Sequence, residues 1–491
     1  MGPYEQLTAH LARHDVLSGI LGTLSWDQQT YLPHGASDGR SAQVEAVSVL
    51  AHELLVDDRV VVWLEAATAE AEPGSLQAAS CRNIQRAVLR ARALPAELVA
   101  RRARLSADGF LRWVQAREAN DPASFLPLLG EIVELQREAA ACIDPERPAY
   151  DVMIDAFDAG VRAADLQPMF ERLGEGLREL IEAIEARPPV PLLDVEVPVE
   201  LQLAWHRRIV EGLGYDLDHG RIDQAHHPFT VRTGPADVRI TTRVVVDDLL
   251  SGLGSTVHEA GHALYEQGMP DRPGTMLGEA ASLGMHESQS RFWENVIGRS
   301  RAFAGWACGL LTEVAGEELV DADTLWKAGL AVDRGLIRVD ADEVTYNLHV
   351  LVRFELEQAL VSGQLAVADL PDAWNDAYER HLGVRPPDAR RGVLQDIHWS
   401  DGTFGYFPSY TLGNLYAASL GEALLAERPG LFDEVARGQF EGVLSWLRSN
   451  VHARGHEFDA PDLLRQVVGE RDHVADLLGY LRGRYGEAYG L

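Results

Sequence analysis

His258-Glu259-Ala260-Gly261-His262 is an H-E-x-x-H pentapeptide, a spacing suited to a metal ion. On an α-helix, residues four apart lie one turn apart on a common face, so both imidazoles can grip one ion. Glu259 leaves that face at an angle, close enough to hold a water beside the ion without ligating it. A catalytic zinc takes three protein ligands and keeps one position open. The expected third donor is Glu287, 25 positions after His262, far enough along for one turn and a returning second helix. Ser255 or Thr256 is the expected cap of the first helix. In 491 residues the pentapeptide arises by chance on the order of a few per cent of the time, a plain helix with two surface histidines being the alternative. The downstream HESQSR segment supplies the carboxylate that a two-helix site needs.

Two further groupings could do chemistry. Asp342, Tyr346, His349 and Arg353 fall at i, i+4, i+7 and i+11, and Arg338 extends the row one turn earlier. On one helix they form a polar stripe, with Leu348, Val352 and Leu356 on another face. Such a stripe is either surface or the lining of a cavity, and spacing does not separate the two. The second grouping is Gln395-Asp396-Ile397-His398-Trp399, followed by Tyr406 and Tyr410. The glycines and Pro408 of DGTFGYFPSYTLG suggest a mobile loop able to close on a ligand, packing on the core being the bland reading.

The elements that must position these residues read as almost entirely helical. From Glu5 to about Glu70 apolar residues recur at three- and four-residue intervals, with a break around Leu32-Pro33-His34-Gly35. Leu76 to Asn120 reads as an arginine-rich helical hairpin split at Pro95, its basic stripe a solvated face. Phe125 to Cys142 and Arg162 to Ala186 are further helices, and Arg187-Pro188-Pro189-Val190-Pro191 is a stiff linker-like stretch. Between Phe229 and Val246 the pattern changes to β-branched alternation around Gly234-Pro235-Ala236-Asp237, predicting a hairpin. The expected fold is therefore mainly α, with a small β-hairpin or sheet beside the metal site. One catalytic unit over 1–491 is expected, with a subdivision into 1–190 and 191–491 as the variant.

Composition bounds the function. A net charge of −31 argues against nucleic acid and anionic membranes as partners. No apolar run near 18 residues and no basic-then-apolar N-terminus are present, and Cys81, Cys142 and Cys308 are too few and too scattered for a disulfide framework. A cytoplasmic location with three core thiols is the expectation.

GSTVHEAGHALYEQG (from Gly254) with LGEAASLGMHESQSRFWEN resembles the carboxypeptidase Taq family of zinc metallocarboxypeptidases. HPF with DVRITTR (His227 to Arg243), DEVTYNLHVLVRFELE (Asp342 to Glu357) and GVLQDIHW with GYFPSYTLG (Gly392 to Gly413) match the family's other motifs in order, and WDQQTYLP (Trp26 to Pro33) extends the likeness over nearly the whole chain. The resemblance implies a large helical fold with a deep active-site groove and zinc on His258, His262 and Glu287, for which cobalt could substitute. It implies Glu259 as general base, and release of single C-terminal residues from peptides with a free C-terminus, with broad specificity. An exopeptidase of this kind must hold a carboxylate, for which a guanidinium is suited. Arg353 is the first choice and Arg239 the second, with Tyr346, His349 and His227 as further substrate contacts. His398 and Tyr410, with Tyr406 as substitute, are the implied oxyanion donors. A homodimer is also implied. The rivals are an endo-acting zinc oligopeptidase, a metal-stabilised scaffold, and a helical iron oxidoreductase using Glu259-x-x-His262 and Glu470-x-x-His473.

Overall fold

A computed structural model describes residues 1–491. Twenty α-helices, seven short 3₁₀ or π-helical turns and one three-stranded sheet make up the ordered elements, so the mainly helical reading holds. The chain divides into two compact units, each assembled from three segments. The first comprises Met1–Ala91, Pro191–Gly329 and Tyr416–Arg471, and the second Arg92–Val190, Leu330–Leu415 and Asp472–Leu491. The boundary at Val190/Pro191 falls in the proline-rich stretch anticipated as a linker, and a further one at Ala91/Arg92 divides the N-terminal half.

In the first unit, helix Pro3–Thr30 is followed by helices Ser37–Val56 and Asp58–Glu70. The last begins where the Asp57 carboxylate accepts the Arg59 amide at 2.8 Å, an N-cap that restarts the helix. Leu7, Leu11, Val60, Leu64, Cys81, Ile84 and Val88 close into a core there.

The sheet has strand order β1-β3-β2, where β1 is Gly220–Gln224, β2 is Thr230–Gly234 and β3 is Asp237–Thr242. β2 and β3 form the expected hairpin, with Thr230 opposite Ile240. β1, which adds in parallel to β3, was not foreseen. Its GRIDQ sequence has one apolar residue and no alternation to read, and its partner lies beyond a loop and another strand.

Helix Leu249–Gly268 packs against β3 and carries the H-E-x-x-H pentapeptide. It starts earlier than expected because Asp248, not Ser255 or Thr256, is its cap, accepting the Ser251 amide at 3.1 Å. Gly252 and Gly254, weak helix formers, obscured that start. A Cβ at Gly252 would lie 3.1 Å from His206 Cε1, so the glycine serves packing rather than ending the helix. Thr256 is buried inside, its hydroxyl 3.0 Å from His206 Nδ1 and 2.6 Å from the Thr242 hydroxyl at the end of β3.

In the second unit, helix Tyr346–Ser362 is buried on nearly every side. It is shorter than the stripe read from sequence. Asp342 stands outside it and accepts the Val344 and Thr345 amides at 2.9 and 3.0 Å, a local bonding pattern that competes with helix. Arg338 lies in a separate 3₁₀ turn, Arg338–Asp340. Cys81 and Cys308 are buried as expected, whereas Cys142, near the end of helix Leu126–Ile143, is exposed. No helix is long and apolar enough to cross a membrane.

Candidate metal centre and associated polar cluster

Helix Leu249–Gly268 and helix Leu283–Arg291 lie side by side in the first unit because Gly261 lets them. A Cβ at that position would sit 2.7 Å from both Gln289 O and Ser290 Cα, so the x before the second histidine must be small. Ser282 caps the second helix by accepting the Met285 amide at 2.9 Å, which aims Glu287 back at the histidines.

The Nε2 atoms of His258 and His262 stand 4.0 and 3.6 Å from Glu287 Oε2, and one donor atom from each of the three residues lies within 4.8 Å of the others. A tetrahedral ion with bonds near 2.1 Å needs donors about 3.4 Å apart. The set is therefore close to the size of a divalent ion, and two imidazoles with one carboxylate suit zinc. His258, His262 and Glu287, the ligands expected from sequence, are brought together.

Behind them stands a layer that the motif did not disclose. His258 Nδ1 donates to Glu294 Oε2 at 2.8 Å, fixing the ring so that Nε2 faces inward. Arg291 joins two carboxylates, donating from Nε to Glu287 Oε1 at 2.8 Å and from Nη1 to Glu294 Oε2 at 3.1 Å. Burial alone would raise the Glu294 carboxyl, but the Arg291 charge and the His258 bond hold it well below the usual carboxylate range. His286 stacks on His262 at 4.4 Å between ring centres and binds Glu266 through Nε2 at 2.9 Å. Arg291 and Glu294 follow Glu287 at helical spacing and could have been read from it. A π-helical turn, Phe292–Ile297, continues the helix and carries Glu294.

Glu259 is buried beside this set, and its Oε2 accepts the Thr230 hydroxyl at 2.6 Å. Burial raises its carboxyl above the ordinary value, with His258 and the Thr230 bond opposing. Thr230 begins β2, 29 positions upstream, and no local pattern links the two.

The expected residues of the second unit form a polar cluster within it. Arg353 has no exposed surface: Nε and Nη2 bind Asp396 Oδ2 at 2.8 and 2.5 Å, and Nη1 donates to His349 O and the Tyr378 hydroxyl. It offers a substrate no exposed donor, so the first choice for the carboxylate clamp is corrected; here Arg353 holds Asp396. His349 is equally enclosed, its Nδ1 3.0 Å from the Tyr378 hydroxyl, and burial with the Arg353 and Arg338 charges keeps it neutral. Tyr346 is buried and accepts from Arg338 Nη1 at 3.1 Å. Asp396 also accepts from Arg338 Nε at 3.0 Å, and Gln395 binds the Arg338 amide, so neither bonds His398 directly. His398 sits among Phe407, Tyr406 and Tyr410 at ring distances of 4.5, 5.3 and 6.3 Å. Burial, then the Arg338 charge, lowers its value to about 4.

The loop read as mobile is packed. Trp399 and Phe404 are buried, and Gly402 and Gly405 hold φ of 83° and 78°, which is why glycine is there. On the sheet, Arg239 binds Asp237 through Nε and Nη2 and lies 4.3 Å over Trp26, itself buried. Its side chain keeps 17% exposure. His227 is exposed in the loop before β2. Glu470, which the di-iron reading requires, lies between helices with its side chain 88% exposed.

Residues 6–485 match the family model described as Carboxypeptidase Taq (M32) metallopeptidase. Thermostable carboxypeptidase 1 of Thermus thermophilus is 41% identical over an alignment covering 99% of this chain and 98% of the relative. Its namesake from Pyrococcus furiosus is 34% identical, covering 98% of each. Among solved structures, the M32 carboxypeptidase of Deinococcus radiodurans R1 superposes with a TM-score of 0.96 at 39% identity, over 100% of both chains. With the H-E-x-x-H pair, the distant glutamate and this whole-length likeness together, the chain belongs to the carboxypeptidase Taq family of metallopeptidases.

Proposed function

We propose that this protein is a metallocarboxypeptidase that releases single residues from the C-terminus of peptides, with broad specificity. The observation that carries the reading is the convergence of His258, His262 and Glu287 beside a buried Glu259 held by Thr230. An ion on those three ligands, zinc in this proposal with cobalt as a tolerated substitute, would polarise the scissile carbonyl and acidify the attacking water. Glu259 takes the proton of that water and passes it to the leaving amine. The Thr230 hydroxyl keeps one carboxylate oxygen fixed, which leaves the other to face the water. Neutral His398 with Tyr410, or Tyr406 in its place, donates to the developing oxyanion, a role assigned by family likeness.

Arg239 takes the terminal carboxylate. Its exposure and an Nη1 outside the Asp237 pair support this, where Arg353 is enclosed. His227 and Tyr346 remain substrate contacts by family likeness only. A homodimer and a cytoplasmic location belong to the same proposal.

The test is amino-acid release from an N-blocked dipeptide with a free C-terminus beside its C-terminal amide, before and after chelation and zinc restoration. Release from the free acid alone, lost on chelation and in Glu259→Gln, is expected. Equal cleavage of the amide, or internal cleavage of longer peptides, would move the assignment to an endo-acting oligopeptidase.

A further inference from the structure

Helix Tyr346–Ser362 carries a carboxylate that the proposed chemistry does not use. Glu357, one turn beyond Arg353, has no exposed surface. No cation binds it; three neutral donors do. Tyr150 donates its hydroxyl to Oε2 at 2.8 Å, the Gly405 amide donates to the same oxygen at 3.0 Å, and Trp399 Nε1 donates to Oε1 at 2.7 Å. An interior carboxylate without a counter-ion is costly, and a hydrocarbon side chain in its place would leave all three donors without an acceptor. Burial pushes its carboxyl up to about 7, against the three donors. Its retention calls for a reason beyond packing.

The reason lies in which donors it takes. Trp399 and Gly405 are the two ends of one short loop, and the residues immediately outside them are His398 and Tyr406. One carboxylate thus ties both ends. Gly405 has no room for a side chain, because a Cβ there would fall 2.6 Å from the Ile154 amide nitrogen of helix Ala149–Ile154. That helix also supplies Tyr150. Outside the loop, Asp396 is fixed by Arg338 and Arg353, and Ser409 donates to buried Asp158.

We propose that Glu357 is a positioning residue that clamps Trp399 and Gly405 together and thereby sets where His398 and Tyr406 stand. This rests on the assignment of His398 and its tyrosines to catalysis, and the test separates the two. In Glu357→Gln the side chain keeps its size, but its NH₂ group must face one of the three donors, so at least one clamp contact is lost.

Amide hydrogen exchange of the full-length zinc enzyme should then quicken across 398–410 and not elsewhere. On the blocked dipeptide kcat should fall about 10- to 100-fold, the range for a catalytic group displaced by about 1 Å, with KM and zinc content close to parental. Trp399→Phe, which removes one donor from the loop side, should give the same pattern, and the double variant should be no worse than the poorer single one. It also carries the test if Glu357→Gln does not fold. Parental exchange, or faster exchange with kcat unchanged while His398→Ala is impaired, would overturn the clamp. Faster exchange with kcat unchanged in both Glu357→Gln and His398→Ala would instead remove the premise, that His398 is catalytic, and the proposal with it.

Discussion

Replacing Glu294 by glutamine should weaken zinc binding without touching a ligand. The parental carboxylate accepts from His258 Nδ1 at 2.8 Å and from Arg291 at 3.1 Å. Glutamine can keep the first bond through its amide oxygen, but the bond loses its charge. Hydrogen bonds to charged groups contribute about 1.5–3 kcal/mol against about 0.5–1.5 for neutral ones, a difference of about 1–1.5 kcal/mol. That is roughly tenfold in affinity. A second effect adds to it. Arg291 divides its donors between Glu294 and Glu287 Oε1, and without the Glu294 charge it leans on Glu287, drawing electron density from a ligand. The combined loss should lie between about 10- and 100-fold, with Glu294→Ala at the upper end. Competition against a chromogenic chelator at fixed pH reads it directly. Thermal unfolding gives a second reading, because stabilisation by zinc falls by about 1.4 kcal/mol for each tenfold loss. A folded glutamine variant that binds zinc within about threefold of the parent would refute the reasoning.

Two other outcomes follow from the geometry. Thr230→Val removes the hydroxyl that orients Glu259 and should lower kcat about tenfold with zinc content intact, while Thr230→Ser restores it; equal activity in all three would mean that Glu259 needs no such tether. Acid should destabilise the fold: burial lowers His206, His398 and His452 to about 3, 4 and 3 from the usual 6.5, so the unfolded chain binds more protons between those limits and stability falls as pH drops from 6.5 towards 4. Glu279 and Glu357, both raised by burial to about 7, act in the opposite sense between their unfolded value and 7, while His349, lowered well below its usual value, adds to the three. A urea midpoint that stays level from pH 7 to 5 would contradict this balance.

What could be read from the chain alone was whatever is short in range and periodic. The H-E-x-x-H pentapeptide, the long helices and the Gly234-Pro235 hairpin all depend on residues within a few turns of one another, where backbone geometry dictates the neighbours, and the returning glutamate, 25 positions on, follows from the third ligand that such a site requires. Family likeness extended this to zinc and a carboxypeptidase reaction. Tertiary structure decided the rest, because burial and long-range partners leave little mark on local pattern. Thr230 meets Glu259 only because β2 returns alongside the metal helix. β1, with one apolar residue in five, is a strand only because β3 presents it an edge. Arg353 has the spacing of a surface or groove residue and proves to be interior, its charge cancelled by Asp396 from 43 positions away. The glycines around Tyr406, which on sequence suggest mobility, mark positive φ and close backbone approach. A side chain's type and spacing say what it can do; whether a substrate can reach it depends on what the remainder of the chain packs around it.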